Sequence, residues 1–222
     1  MVMIGRIALG LDQAGKTGWG LAPERGPIVR HGLATTDAQW MAVVRLALEY
    51  AGNDPKRLFV MFEQHDHMPL GRLGKDDHET TRRHGTNKYA PQISTKTVIG
   101  MGENAGIWKG FLLWNGVPRS HFLQVRPTTW RARIHGVQRA DLVKQAAVDW
   151  ASKEVGETIA SHDHAEGICI TAWAAIDGFG RYDALKTKAR MEARVARELG
   201  KQGALFDVAP SNDNGTTRKA KS

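Results

Sequence analysis

Residues 3–33 hold three short apolar runs, and the breaks between them constrain the fold more than any other feature of the chain. The run MIGRIALGL (3–11) is a glycine-bounded strand. Gly18-Trp19-Gly20 disfavours helix and suits a hairpin into a second strand, and Glu24-Arg25-Gly26-Pro27 turns the chain into a third over 28–33. Strands joined this tightly pair antiparallel. Helical and strand periods then alternate, and the end of the sequence is helical. That order predicts an α/β domain with a mixed sheet.

Thr36 with Gln39 forms a capping box, and Trp40, Val43, Val44, Ala47 and Leu48 recur at helical spacing up to about Tyr50. Gly52-Asn53-Asp54-Pro55 stops this helix. Arg57 to Glu63 (RLFVMFE) is a compact apolar run suited to a buried central strand, and it ends on a carboxylate. A second helix is predicted from Ser94 to Trp114, with Val98, Met101, Ala105, Trp108 and Leu112 on one face. Gly102, Gly106 and Gly110 lie nearby, small enough to let a neighbour approach closely. A strand over 122–125, a short helix opened by Pro127 and ending at Ile134, and a helix over 140–153 follow. Ser161 opens a last core helix, and a basic helix spans 183–199.

Gly10-Leu-Asp-Gln-Ala-Gly15-Lys16-Thr17 matches the GxxxxGK[ST] pattern of a phosphate-binding loop letter for letter. Such a loop works only if a helix leaves it, because the helix N-terminus helps bind the anion. Here Gly18, Trp19, Gly20 and then Pro23 follow Thr17, so the exit is a strand. What remains is Asp12 at the end of the first strand, with the glycines reading as hairpin punctuation around it.

The 222-residue chain carries a single cysteine, Cys169, which excludes an internal disulfide framework and fits a reducing compartment. Its apolar runs fall short of the ~20 residues that span a bilayer, and no signal-peptide pattern follows Met1. A protein of the bacterial cytoplasm without membrane partners is expected. The formal net charge of +8 points to a polyanionic partner. Ten Lys/Arg against five Asp/Glu lie between 181 and 222, either as a solvated helix with a disordered tail or as an added nucleic-acid contact. The expected organisation is a domain over 1–180, a basic helix over 181–203 and a disordered tail over 204–222.

Asp163 and Glu166, three residues apart in the first turn of a helix, project from one face where the helix dipole favours negative charge. Alone, the pair can be plain capping chemistry. Asp12 and Glu63 end two core strands, however, and the helix carrying the other pair continues through Ile168, Ile170 and Trp173, which must dock on that sheet. If the four converge, each like-charge pair at ~4 Å costs about 4 kcal/mol even at an effective dielectric of 20. Hard divalent cations offset that cost. An all-oxygen site suits Mg²⁺ or Mn²⁺, and two such ions can activate a water, polarise a phosphodiester and stabilise the leaving oxygen.

The segments Asp12-Gln-Ala-Gly-Lys-Thr17-Gly18-Trp19, Phe62-Glu63-Gln64, Met101-Gly-Glu-Asn-Ala-Gly106, Pro127-Thr-Thr-Trp130-Arg131 followed by Gly136 and Ala140-Asp141, and Asp163-His-Ala-Glu166 succeed one another along the chain. In that order they resemble the motifs of RuvC-type Holliday-junction resolvases, and are most similar to phage and prophage members. The resemblance covers residues 4–178. It implies a ribonuclease H-like fold with a mixed five-stranded sheet and helices on both faces. It also implies a homodimer and Mg²⁺-dependent paired nicking of four-way DNA junctions, with two ions per site and Mn²⁺ as a substitute. Asp12, Glu63, Asp163 and Glu166 would be the catalytic metal ligands, and Arg131 would stand near the scissile phosphate. The family's fourth acid is usually aspartate and here is Glu166, and Leu142 stands where bacterial members carry a second lysine. Lys144, Arg139 or Arg133 can supply that charge.

From Gln64 to about Ile93 the sequence is polar and without apolar period, and a loop this long in a compact domain is functional or disordered. Arg72, Lys75, Arg82, Arg83 and Lys88 can bind backbone phosphate, and Met68 and Tyr89 can wedge or stack on bases. Lys16 is assigned to the same DNA footprint. His-Asp-His occurs at 65–67 and 162–164, but a zinc site needs four ligands at workable spacing, and Cys169 lies alone in an apolar run. His162 or His164 can instead move a proton or hydrogen-bond a phosphate, or simply open a surface helix. The readings that compete with a junction resolvase are three. One is a related nuclease of forks, flaps or RNA–DNA hybrids, another a nuclease-dead junction-binding protein, and the third an actin-like or P-loop nucleotide hydrolase using Lys16 and Thr17.

Overall fold

The computed structural model describes residues 5–13, 16–63, 95–139 and 141–206. The expectations for Met68, Arg72, Lys75, Arg82, Arg83, Lys88, Tyr89, the first His-Asp-His and the tail beyond Phe206 lie outside the described residues. The chain divides into two compact units, Met1–Phe179 and Gly180–Ser222.

The first unit is built on β1 (Ile7–Asp12), β2 (Thr17–Pro23), β3 (Arg30–Ala34), β4 (Leu58–Glu63) and β5 (Phe122–Val125), forming one sheet in the order β3-β2-β1-β4-β5. β1, β2 and β3 pair antiparallel in turn, and β4 runs parallel to both β1 and β5. The mixed sheet expected from the meander and the later alternation is what forms. Its helices are α1 (Asp37–Tyr50), α2 (Thr95–Trp114), α3 (Pro127–Ile134), α4 (Val143–Val155) and α5 (His162–Trp173), with a π-helical turn at Ala174–Gly178 leading into α6 (Phe179–Phe206).

Because side chains alternate along a strand, the two faces of the sheet carry different work. Ile7, Leu9 and Leu11 join Trp19, Leu21, Leu58, Val60 and Phe62 in one core, closed by Trp40, Val43, Val44 and Ala47 of α1 and by Trp108 and Leu112 of α2. Trp40 stacks on Trp108 with ring centroids 5.6 Å apart. Each indole N–H is satisfied: Trp40 donates to the Ala34 carbonyl at 3.0 Å and Trp108 to the Thr17 hydroxyl at 3.2 Å. Ala8, Gly10 and Asp12 point to the opposite face, where α5 lies.

The fit of α5 corrects the reading of the glycines as turn punctuation. Gly18 and Gly20 sit inside β2, and with Gly10 of β1 they make a floor without Cβ atoms under the helix. A Cβ on Gly10 or Gly20 would overlap Thr171, one on Gly18 would overlap the Asp163 carbonyl, and one on Gly167 would overlap the Gly18 backbone. Gly102, Gly106 and Gly110 of α2, read as points of close approach, have nothing among the described residues within 4 Å of a Cβ position. The close contact is therefore between α5 and β1–β2, and α2 meets the core through Trp108 and Leu112.

Other boundaries shift for local reasons. Thr36 caps α1, accepting from the Gln39 N–H at 3.3 Å, but the Gln39 side chain reaches back to the Thr35 N–H at 2.7 Å, so the capping box is offset by one residue. β3 starts at Arg30, two residues beyond the expected strand start. α4 starts at Val143 rather than 140, and the Arg139 guanidinium pairs with Asp141 at 2.7 Å just before it. The basic helix of the second unit begins earlier and ends later than expected, and a Lys188–Glu192 pair at 3.7 Å spans one of its turns. No described helix is long and apolar enough to cross a membrane.

Candidate metal centre

β1 and β4 are parallel neighbours, so their carboxyl ends lie side by side, and each ends on an acid. The register pairs Leu11 with Phe62, which leaves Asp12 and Glu63 one residue further on and on the same face of the sheet. The glycine floor brings α5 across that face, and Glu166 arrives from its second turn. Carboxylate oxygens of Asp12, Glu63 and Glu166 all lie within 4.8 Å of one another. The three residues are 4%, 7% and 8% exposed, so three carboxyl groups are buried together.

The fourth expected ligand stands apart. Asp163, one turn earlier on α5, is half-buried and does not join the three. Its charge still reaches Asp12. Burial pushes the Asp12 carboxyl well above its ordinary value, and the charges of Glu166, Glu63 and Asp163 push it the same way against Arg131. Glu63 rises from 4.5 to about 7, through burial first and Glu166 second, opposed by Arg131 and by the Trp130 indole beside it.

Arg131, on α3, is the one cation the fold brings onto the group among the described residues. Its Nη2 donates to Glu166 Oε1 at 3.1 Å and lies 3.8 Å from Glu63 Oε1, while its guanidinium packs over the Trp130 ring with 5.0 Å to the centroid. One guanidinium does not complete the site. Asp12 Oδ2 is buried and finds no hydrogen-bond partner among the described residues, and neither does the buried side-chain nitrogen of Gln13 beside it. A buried carboxylate oxygen without a donor, in an all-oxygen set of three acids of which Asp12 and Glu63 have raised proton affinity, fits a hard divalent cation. It fits zinc with cysteine poorly, and Cys169 is buried in the core.

A second polar group forms on the same face of the sheet. His31 of β3 pairs in register with Gly20, so its ring lies on the α5 face, where its Nδ1 meets His164 Nε2 at 3.0 Å and its Nε2 lies 3.6 Å from Glu157. Burial and His31 lower the His164 pKa, opposed by Glu157. His162 is exposed. Sequence reasoning missed Gln13, His31 and Glu157; for His31 the available signal was its place opposite a glycine of β2.

The remaining expected contacts are distributed over the surface. Lys16 is exposed, and Thr17, buried against Trp108, has its hydroxyl engaged on the far face of the sheet from the acids. No helix follows it, so the phosphate-loop reading is overturned. Arg133 and Arg139 are exposed and paired with Asp177 at 3.0 Å and Asp141 at 2.7 Å, and Lys144 is exposed on the first turn of α4.

A central pair of parallel strands ending on acids, a three-stranded antiparallel flank and a helix carrying a third acid across them define the ribonuclease H-like class of fold. Within it, two solved structures are similar to this chain. One is the Thermus thermophilus RuvC in complex with a Holliday junction substrate, at a TM-score of 0.51 and 12% identity, covering 78% of this chain and 94% of that one. The other is a Thermus thermophilus RuvC structure at 0.50 and 14%, covering 79% and 97%. The fold is therefore RuvC-like. No protein-family model and no curated protein matches the sequence.

Proposed function

We propose that the chain is a Mg²⁺-dependent, structure-selective DNA endonuclease that resolves four-way junctions by paired nicks, as a phage-type member of the RuvC resolvases. The observation that carries this is the buried Asp12–Glu63–Glu166 group at the end of a RuvC-like sheet. Asp12, Glu63 and Glu166 would hold the metal, with Asp163 adding charge from the next turn. Two divalent ions bound there would polarise a phosphodiester and lower the pKa of an attacking water. The chain's own basic side chains would bind and orient the DNA: Arg131 at the acids, Lys16, Arg133, Arg139 and Lys144 from the exposed surface, and Arg72, Lys75, Arg82, Arg83 and Lys88 with Tyr89 from the 64–94 segment. Symmetric paired nicks need two such sites, hence a homodimer. A nuclease-dead junction binder has no use for three buried acids whose mutual repulsion destabilises the apoprotein, and the intact group favours the enzyme over it.

The test is cleavage of synthetic four-way, three-way, flap and linear duplex substrates with Mg²⁺, Mn²⁺ or Ca²⁺. Four-way junctions are cut symmetrically in Mg²⁺ or Mn²⁺, and Asp12→Asn or Glu63→Gln abolishes cutting while junction binding in Ca²⁺ persists. Full activity in both variants would remove the site, and preferred cutting of flaps or RNA–DNA hybrids would move the substrate to another branch of the same fold.

A further inference from the structure

Arg131 is held in an unusual way for a residue expected to meet DNA. It is only 22% exposed, it bridges the carboxylates of Glu166 and Glu63, and it rests on the ring of its neighbour Trp130. Its hydrogen bonding is incomplete: the Nε is buried with no partner among the described residues, and the longer contact, at 3.8 Å to Glu63, is an ion pair without hydrogen-bond geometry. A guanidinium offers five donors, and a site built to hold it permanently would satisfy more of them. The chain continues from Arg131 into the exposed residues Ala132 and Arg133, so the side chain stands near open surface.

The same carboxylates are two of the three acids that fit a divalent cation. We propose that Arg131 is an internal counter-ion that competes with metal: guanidinium and cation are alternative partners of Glu63 and Glu166, and metal loading releases Arg131 toward the DNA backbone. The inference rests on the metal reading of the site. The chemistry supports exchange rather than co-occupation. Arg131 and a dication on the same carboxylate oxygens would repel one another in a buried setting, whereas a released guanidinium can take a phosphate in bidentate fashion. Metal and branched DNA would then strengthen each other's binding by the same factor, because each removes a cost that the other would otherwise meet.

The deciding measurement is calorimetric titration of the full-length protein with Mn²⁺ at pH 8.5, where proton competition at the acids is weakest. Wild type, Asp12→Asn, Arg131→Gln and Arg131→Lys are compared, with folding checked by circular dichroism. Wild type binds Mn²⁺ and Asp12→Asn loses that binding. Arg131→Gln binds about tenfold tighter than wild type, and Arg131→Lys, which keeps the charge without the fork, about threefold tighter. Without metal the Gln variant melts below wild type, and saturating Mn²⁺ raises its melting temperature by more. Equal or weaker Mn²⁺ affinity in folded Arg131→Gln, or in Arg131→Lys should the Gln variant not fold, overturns the competition while leaving the metal site standing. Failure of wild type to bind Mn²⁺ at all removes the metal reading, and the inference with it.

Discussion

Gly18 of β2 and Gly167 of α5 meet backbone to backbone. A Cβ on Gly18 would overlap the Asp163 carbonyl, and one on Gly167 would overlap the Gly18 carbonyl carbon. Glu166 immediately precedes this contact, so the distance between helix and sheet decides whether its carboxylate reaches Asp12 and Glu63.

Alanine at either position must therefore push the helix off the sheet. Gly18→Ala and Gly167→Ala are each expected to lose about 3 kcal/mol or more in urea unfolding, as overpacking against backbone cannot relax through a side chain. Gly110→Ala is the control: it lies in an exposed helical position with nothing among the described residues within 4 Å of a Cβ, and should be neutral or gain up to ~1 kcal/mol. A stable, fully active Gly167→Ala would show that the helix does not need this approach.

That contact also marks what the sequence could and could not convey. The acids were legible because their signals are local: Asp12 and Glu63 each terminate a short apolar run, and Glu166 sits in the opening turns of a helix that has to dock. The meaning of Gly18, Gly20 and Gly167 was not, because a glycine in a turn and a glycine under a crossing helix look the same until the partner is placed. Arg131 and Glu166 are 35 residues apart, and nothing short of the tertiary fold makes them a pair. Asp163 and Glu166 share a helix face by spacing, yet the place where α5 crosses the strands leaves Glu166 in the group and Asp163 outside it.

The Glu63 carboxyl, ordinarily near 4.5 and here raised to about 7, gives the metal-free protein a characteristic pH dependence. Between those values the folded state binds a proton that the unfolded state does not. This contribution to stability is fully present below the lower value and is lost as pH rises through the upper one. Glu63→Gln is neutral throughout, so the stability of the variant relative to wild type should increase by about 3 kcal/mol between roughly pH 5 and pH 8.5 without divalent metal. Chemical unfolding of both proteins at the two pH values checks it. A difference that stays flat would mean the Glu63 carboxyl titrates normally.

Lys16 and Thr17 separate structure from nucleotide chemistry. Thr17 is fully buried and accepts the Trp108 indole N–H at 3.2 Å. Thr17→Val keeps the shape and strands that donor, an expected loss of about 1–3 kcal/mol in stability. Lys16→Ala removes an exposed charge and should leave stability within ~0.5 kcal/mol and four-way junction cleavage intact, with a modest loss of DNA affinity. An ATP-dependent activity destroyed by Lys16→Ala would revive the phosphate-loop reading against the geometry.

Arg82 and Arg83 test the assignment of the 64–94 segment to DNA. If both contact phosphates, the double alanine variant releases about two fewer counterions on binding. The slope of log affinity against log salt should then fall by ~2, with weakening across all branched substrates alike. Fluorescence anisotropy of a labelled junction over a salt series in Ca²⁺ measures the slope, and an unchanged value takes the pair out of the footprint.

Asp163 is the residue on which the resemblance and the geometry give different weights. The resemblance makes it a metal ligand equal to the others, whereas it stands half-buried outside the group formed by Asp12, Glu63 and Glu166 and acts on Asp12 through its charge. A ligand and a neighbouring charge differ in what neutralisation removes. Asp12→Asn deletes a coordinating charge at the centre and should lower Mn²⁺ affinity at least about a hundredfold, while Asp163→Asn removes attraction from further out and should lower it only about three- to tenfold. Calorimetric titration of both variants with Mn²⁺ distinguishes the two roles: equal losses would mean that α5 turns Asp163 into the site when metal binds, and that the ligand set has four members.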